Sequence, residues 1–247
     1  MRIEKFVSFL GPVRTGHTLV ASLLSAHENI SISIELNPIR KMSKKNVETE
    51  KIFELILTNC KNRSSVNRGG YDYTLKNDLQ NRIENTQIIG DSIAGFKHMT
   101  CLSKDNRAYK FYRKLNVPIR WIWVIRDPFN NVHSMNTMSK LGIGKCTSIF
   151  METINMTRNL CELDFIKNNL FIIYLEDLIE DPKYWFGLLL DFLGANRSEY
   201  FLDICEEQVF PKSHMVFDQK IWKKRYTNKL ISFIENTPEL QRYRGDY

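Results

Sequence analysis

The chain has 247 residues, 43% of them hydrophobic, with 35 basic and 28 acidic side chains and a formal net charge of +7. That length is enough to close a full core as a single domain over residues 1–247, and no apolar run approaches the roughly 18 residues a bilayer span needs, which excludes an integral membrane segment. The charge implies an anionic partner without choosing among nucleic acid, a membrane surface, a phosphorylated cofactor and an acidic acceptor, while five cysteines without a C-x-x-C pair exclude a zinc or dithiol motif and fit a reducing, cytoplasmic compartment.

Phe6 to Leu10 is a short apolar run closed by Gly11-Pro12, too short for a signal-peptide core and read as a first strand. Thr18 to His27 then sets Leu19, Val20, Leu23 and Leu24 at helical spacing. Ile30 to Ile34 alternates Ile with Ser, the pattern of a strand with one covered face, and delivers Glu35 at its end. Residues 36–88 are polar: a basic run from Arg40 to Lys45, a predicted helix over Glu48 to Cys60 and a Gly69-Gly70 turn mark an expected variable insertion. Ile88-Ile89 leads into Gly90-Asp91-Ser92, and Ala108 to Leu115 reads as helix. Trp121 to Ile125 is a continuous apolar run typical of a strand buried on both faces, and Arg126-Asp127-Pro128 begins a helix with proline in its first turn. Beyond it, residues 147–168 read as one amphipathic helix and Leu170 to Leu175 as a buried strand. Asp181-Pro182 opens a helix that stops at Gly194. Strands alternating with helices predict an α/β fold with a central parallel sheet covered on both faces and a P-loop-like core.

The chemistry gathers first in Gly11-Pro12-Val13-Arg14-Thr15-Gly16-His17-Thr18, which joins a strand to a helix and so aims backbone N–H groups and a helix N-terminus at an anion. Its spacing is that of the triphosphate loop G-x-x-x-x-G-K-[ST], except that His17 stands at the lysine position. An imidazole replaces that ammonium poorly, which disfavours an ATP-dependent phosphotransferase, the alternative reading. Arg14 offers a planar cation for phosphate or sulfate oxygens; otherwise the glycines merely shape a turn around a solvated arginine. His17 either donates to a bridging oxygen or caps the helix. Glu35, at a strand end beside this loop, is a candidate general base or else an exposed loop carboxylate. Glu176 and Asp177 read as helix caps rather than an acid/base pair. Trp222 reads as core and the lysines around it as a solvated face. The five histidines show no H-x-H or H-E-x-x-H spacing, so no metal is expected, and no basic stripe with interleaved aromatics points to nucleic acid.

Val13-Arg14-Thr15-Gly16-His17-Thr18 resembles the P-[RK]-[ST]-G-T-[TS] phosphosulfate loop of the sulfotransferases that use 3'-phosphoadenosine-5'-phosphosulfate (PAPS). Trp123-Val124-Ile125-Arg126-Asp127-Pro128 with Ser134, eight residues after the arginine, is similar to that family's 3'-phosphate motif, and Tyr174-Leu175-Glu176-Asp177-Leu178 with Asp181-Pro182 and Phe192-Leu193-Gly194 to its Y-E-D-L…P…F-L-G segment. Glu35 follows Arg14 by 21 residues, the spacing of the general base in the protein-tyrosine sulfotransferase branch, whose tail Trp222, Pro238-Glu239-Leu240 and Tyr243-Arg244-Gly245 also resemble. The resemblance implies a transferase that binds PAPS through Arg14, Thr15, Gly16, His17, Thr18, Arg126 and Ser134, with Lys212 and Ser213 on a loop over the nucleotide, and that needs no metal. Glu35, Arg14 and His17 are the implied catalytic residues, and the acceptor is a sugar, lipid, peptide or small molecule. His17 replaces the family's threonine, and Gly90-Asp91-Ser92-Ile93 lacks the lysine of an E-K-[TS]-P-like stretch, a role that falls to Lys97 or to Arg14. A binding protein that keeps the 3'-phosphonucleotide site without catalysis is the second alternative.

Overall fold

The computed structural model describes residues 2–42, 47–61, 67–68, 71–72, 83–104, 106–209 and 222–245. Five strands form one parallel sheet: Lys5–Leu10 (β1), Ile30–Ser33 (β2), Ile88–Asp91 (β5), Ile119–Ile125 (β6) and Leu170–Tyr174 (β7), in the order β2-β5-β1-β6-β7. A separate antiparallel pair joins Asn67–Arg68 (β3) to Tyr71–Asp72 (β4). The predicted Gly69-Gly70 turn lies outside the described residues, as do Lys44 and Lys45 of the basic run.

Period-two patterning sorts the sheet's side chains into two cores. Val7 and Phe9 of β1, Ile122 and Val124 of β6, and Ile30 and Ile32 of β2 face His17–Leu24 (α1), Leu175–Glu180 (α9), Pro182–Leu193 (α10) and Glu199–Gln208 (α11). Phe6 and Leu10 of β1 and Trp121, Trp123 and Ile125 of β6 face the other way. That layer holds Thr49–Lys61 (α3), Phe96–Lys104 (α4), Asn106–Leu115 (α5), Pro128–Ser139 (α6), Ile143–Cys161 (α7) and Lys224–Glu235 (α12). The short helices Pro38–Met42 (α2) and Asp164–Lys167 (α8) and the 3-10 segment Pro238–Tyr243 border it. Trp121, Trp123, Phe129 and Phe150 are essentially inaccessible, and full burial of one large apolar side chain contributes about 1.5–3 kcal/mol.

Where structure and patterning differ, tertiary contacts explain the difference. All four residues of β2 are buried, not one face alone. α3, predicted from sequence, packs over the serine face. There Ser31 Oγ shares a 2.8 Å hydrogen bond with Thr86 Oγ1, and Ser33 Oγ donates to Asp91 Oδ1 at 2.6 Å. The hydroxyls are satisfied inside the protein, so alternation that signals solvent on one side is filled by a polar seam instead. Conversely, β7 is an edge strand with Ile172 exposed, not a buried one, because among the described residues no strand pairs beyond it. α1 ends at Leu24, three residues short of His27, and the expected 147–168 helix is two helices separated at Glu162-Leu163. α10 runs to Leu193 and ends at Gly194, as expected from its sequence. Among the described residues, no helix is long and apolar enough to cross a membrane.

Candidate functional site

Residues 11–16 leave the central strand β1 at the carboxyl edge of the sheet and turn into α1. Strands β1, β5 and β6 end together there, the edge at which α/β sheets place their ligands. Gly16 is the N-cap of α1 with φ of 100°, a conformation that favours glycine, and a Cβ on it would lie 2.6 Å from Leu175 Cδ1 and so displace that side chain. Among the described residues no side-chain hydrogen bond caps α1, which leaves the first-turn N–H groups facing the loop. His17 therefore does not cap the helix. Its ring is buried, with Nδ1 3.5 Å from Thr15 Oγ1, and Nε2 makes no hydrogen bond among the described residues. Thr15 Oγ1 also donates to Pro12 O at 3.3 Å, fixing the turn, and Thr18 follows half-buried in the first turn of α1.

The start of α6 converges on the same loop. Arg14 Nε donates to Ser134 Oγ at 3.0 Å, Arg126 Nη1 donates to Arg14 O at 3.2 Å, and Asn131 Nδ2 donates to Val13 O at 3.1 Å. Asp127 caps α6 by accepting from Asn130 N at 2.7 Å, with Pro128 in the first turn. Three residues singled out from sequence, Arg14, Arg126 and Ser134, thus meet. Asn131 was missed, although its i, i+3 spacing to Ser134 puts it on the same helix face. Lys212 and Ser213 lie outside the described residues, and Lys97 is exposed on α4.

Glu35 follows β2 in a left-handed conformation (φ 50°), as Arg14 does in the loop (φ 69°). Non-glycine residues seldom adopt it, and it costs on the order of 1–3 kcal/mol unless surrounding contacts hold it. For Glu35 those contacts come from the end of β5. Asp91, buried, accepts from Leu36 N at 2.9 Å, Asn37 N at 3.0 Å and the Ser33 hydroxyl, and Ser92 Oγ accepts from Glu35 N at 3.3 Å. Burial pushes the Asp91 carboxyl above its usual range, opposed by these hydrogen bonds. Asp91 is the second residue missed from sequence: within Gly90-Asp91-Ser92 nothing distinguished a carboxylate that organises a turn 55 residues away. The result is a Glu35 Oε1 that stands 3.9 Å from His17 Nε2, at the rim of the loop.

Behind this edge lies His98 on α4, 3% exposed. Burial, with a smaller effect of His17, lowers its pKa to about 3. In the unfolded chain a histidine takes its proton near pH 6.5, so the unfolded state binds more protons between these values. Stability is full above about pH 6.5 and falls as the pH drops toward 3, by up to about 1.4 kcal/mol per pH unit from this group. Urea unfolding at about pH 7.5 and about pH 5.5, on either side of the ordinary histidine value, is expected to show a smaller loss for His98→Leu than for the wild type; equal losses would remove His98 as the source.

The third motif does not cap its helix. Glu176 Oε1 accepts from Asp127 N at 2.9 Å and Oε2 from the Tyr243 hydroxyl at 2.7 Å, while Asp177 takes both Nη atoms of Arg242 at 2.5 and 2.6 Å. The N-cap of α9 is Tyr174, without a side-chain cap. Both carboxylates are spent on long-range partners that adjacency in sequence cannot reveal. Trp222 is buried against Phe129, with ring centroids 5.0 Å apart, as expected of core.

No family model matches this chain, and no curated protein matches it in sequence. Its structure is similar to that of the sulfotransferase domain of the Synechococcus PCC 7002 olefin synthase (16% identity, 90% of this chain and 87% of that one, TM-score 0.53). It is also similar to sulfotransferase STF9 from Mycobacterium avium (11%, 96% and 78%, TM-score 0.57) and to mouse sulfotransferase SULT7A1 complexed with PAP (10%, 98% and 86%, TM-score 0.52). The chain has the sulfotransferase fold.

Proposed function

We propose that this chain is a PAPS-dependent sulfotransferase that moves a sulfuryl group onto a hydroxyl, or an amine, of an acceptor. The observation that carries the reading is the meeting of Arg14, Arg126 and Ser134, with partners 112 to 120 residues apart in sequence, at the uncapped N-terminus of α1. Two permanent cations, a hydroxyl and a row of backbone amides are a donor set suited to the phosphates of a 3'-phosphonucleotide. Mouse SULT7A1, of the same fold, was crystallised with PAP, which supports the same nucleotide here.

In the proposed reaction the acceptor oxygen attacks sulfur in line. The S–O bond to the 5'-phosphate breaks, its electron pair stays with the phosphate, and Glu35 takes the acceptor proton. Arg14, His17 and the loop amides of Thr15, Gly16 and Thr18 stabilise the charge that grows on the departing phosphate. A sulfuryl group carries less negative charge than a γ-phosphoryl group, so metal-free transfer is part of the proposal. Residues 36–88, whose first turn rests on Asp91, are assigned to the acceptor, and a reducing, cytoplasmic setting fits the five free cysteines.

Calorimetric titration with PAP, and separately with ATP and magnesium, tests the reading. The wild type is expected to prefer PAP, with Arg126→Ala weakening it about 10-fold to 100-fold, as loss of a charge-assisted hydrogen bond does, and Ser134→Ala about 3-fold to 10-fold. Preference for ATP with magnesium would bring the phosphotransferase forward. Since β5 ends at Asp91 and runs into Ser92 with no lysine, a binding protein without catalysis is the second reading, and it predicts PAP binding with no transfer to any acceptor.

A further inference from the structure

The polar bridge behind the loop links the far end of the chain to the candidate donor site. Tyr243 donates to one oxygen of Glu176, and the other oxygen accepts from the backbone N–H of Asp127. Asp127 is the N-cap of α6, whose Asn131 and Ser134 bond the loop at Val13 and Arg14. Around this bridge the 3-10 segment Pro238–Tyr243 is anchored three more times. Arg242 chelates Asp177 and lies 4.3 Å from the Tyr174 ring centroid, the Tyr174 hydroxyl donates to Glu239 O at 3.1 Å, and Leu240 is fully buried. Glu176 thus has both oxygens committed, one to the tail and one to the turn that starts α6. A shift of the tail changes the position of Asp127, and with it the helix start that presents Ser134 to Arg14.

We infer that the C-terminal segment Pro238–Tyr243 is a positioning element for the 3'-phosphonucleotide, acting through the Tyr243–Glu176–Asp127 bridge on Ser134 and Arg126. The inference rests on the nucleotide-binding reading above. Burial and the Glu176 carboxylate push the Tyr243 phenol well above its ordinary range, so the hydroxyl remains a donor wherever the chain is folded. Tyr243 touches no reacting atom; it is a positioning residue.

Tyr243→Phe removes one hydroxyl and keeps the ring, and the Leu240 and Arg242 anchors hold the segment in place, so the variant isolates the bridge from the fold. Its Kd for PAP is expected to rise roughly threefold to tenfold, at the low end of coupling between distinct sites. The donor KM should rise with it while kcat stays within about twofold, the pattern of lost binding rather than lost transition-state contact. Coupling is reciprocal, so a second readout follows the C-terminal segment itself. PAP should slow hydrogen exchange at the amides of Leu240 and Arg244, which donate to Thr237 O and Gln241 O, in the wild type and not in Tyr243→Phe. An unchanged Kd in Tyr243→Phe, or exchange at these amides indifferent to saturating PAP, overturns the inference and leaves the donor site standing. Failure of the wild type to bind PAP overturns the donor reading and the inference with it.

Discussion

Glu35→Gln is expected to lower the rate of sulfuryl transfer by about 10²-fold to 10⁴-fold, the range that one general base supplies, while PAP binds as tightly as to the wild type. The separation follows from where the residue sits. Glu35 leaves β2 on the far side of β5 from the loop strand β1, and the hydrogen bonds that hold the backbone of its turn come from Asp91 and Ser92, whereas the proposed phosphate contacts of Arg14, Arg126 and Ser134 follow β1 and β6. Glutamine keeps the shape and the backbone hydrogen bond to Ser92 and cannot take a proton. Single-turnover transfer to any acceptor found in a screen measures the effect, with PAP titration alongside. A loss smaller than about tenfold would assign the base to another group, and weakened PAP binding would place Glu35 among the donor contacts.

The second large effect concerns the sheet itself. Gly90→Val is expected to destabilise the chain by about 3 kcal/mol or more, as forced overpacking against an immovable neighbour does. Gly90 stands in β5 between β2 and β1, and a Cβ there would lie 2.5 Å from Val7 O and 2.9 Å from Val7 Cβ. The first of these atoms is backbone, so no rotamer change relieves the contact and β5 has to separate from β1. The next residue along is Asp91, which holds the Glu35 turn, so the damage reaches the candidate site as well as the fold. Chemical denaturation of the purified variant measures it. Stability equal to the wild type would show that the strands can spread at this point without loss.

Local sequence patterns determined a great deal here. Elements with a short-range signature were legible: the buried run Trp121–Ile125, the proline-led starts at Pro128 and Pro182, the stop at Gly194 and the strand-loop-helix unit around Gly11 and Gly16. Each depends on residues within one or two turns of each other, so periodicity and backbone preference suffice. Arg14, Arg126 and Ser134 were legible as members of two separate motifs.

Only the tertiary structure decided what those motifs do to one another. The order β2-β5-β1-β6-β7 sets the loop after β1 beside the helix start after β6, and it is this adjacency that lets Arg14 reach Ser134. The same holds for the residues whose roles the sequence left hidden. Asp91 is an ordinary strand-end carboxylate until β2 lies alongside β5, and Glu176 and Asp177 look like helix caps until the C-terminal segment returns to bind them. The physical reason is common to all of them. A buried polar group must find a partner, and in a parallel sheet the crossovers bring partners from distant parts of the chain, so a carboxylate's role is set by which strand is its neighbour and not by its own sequence context.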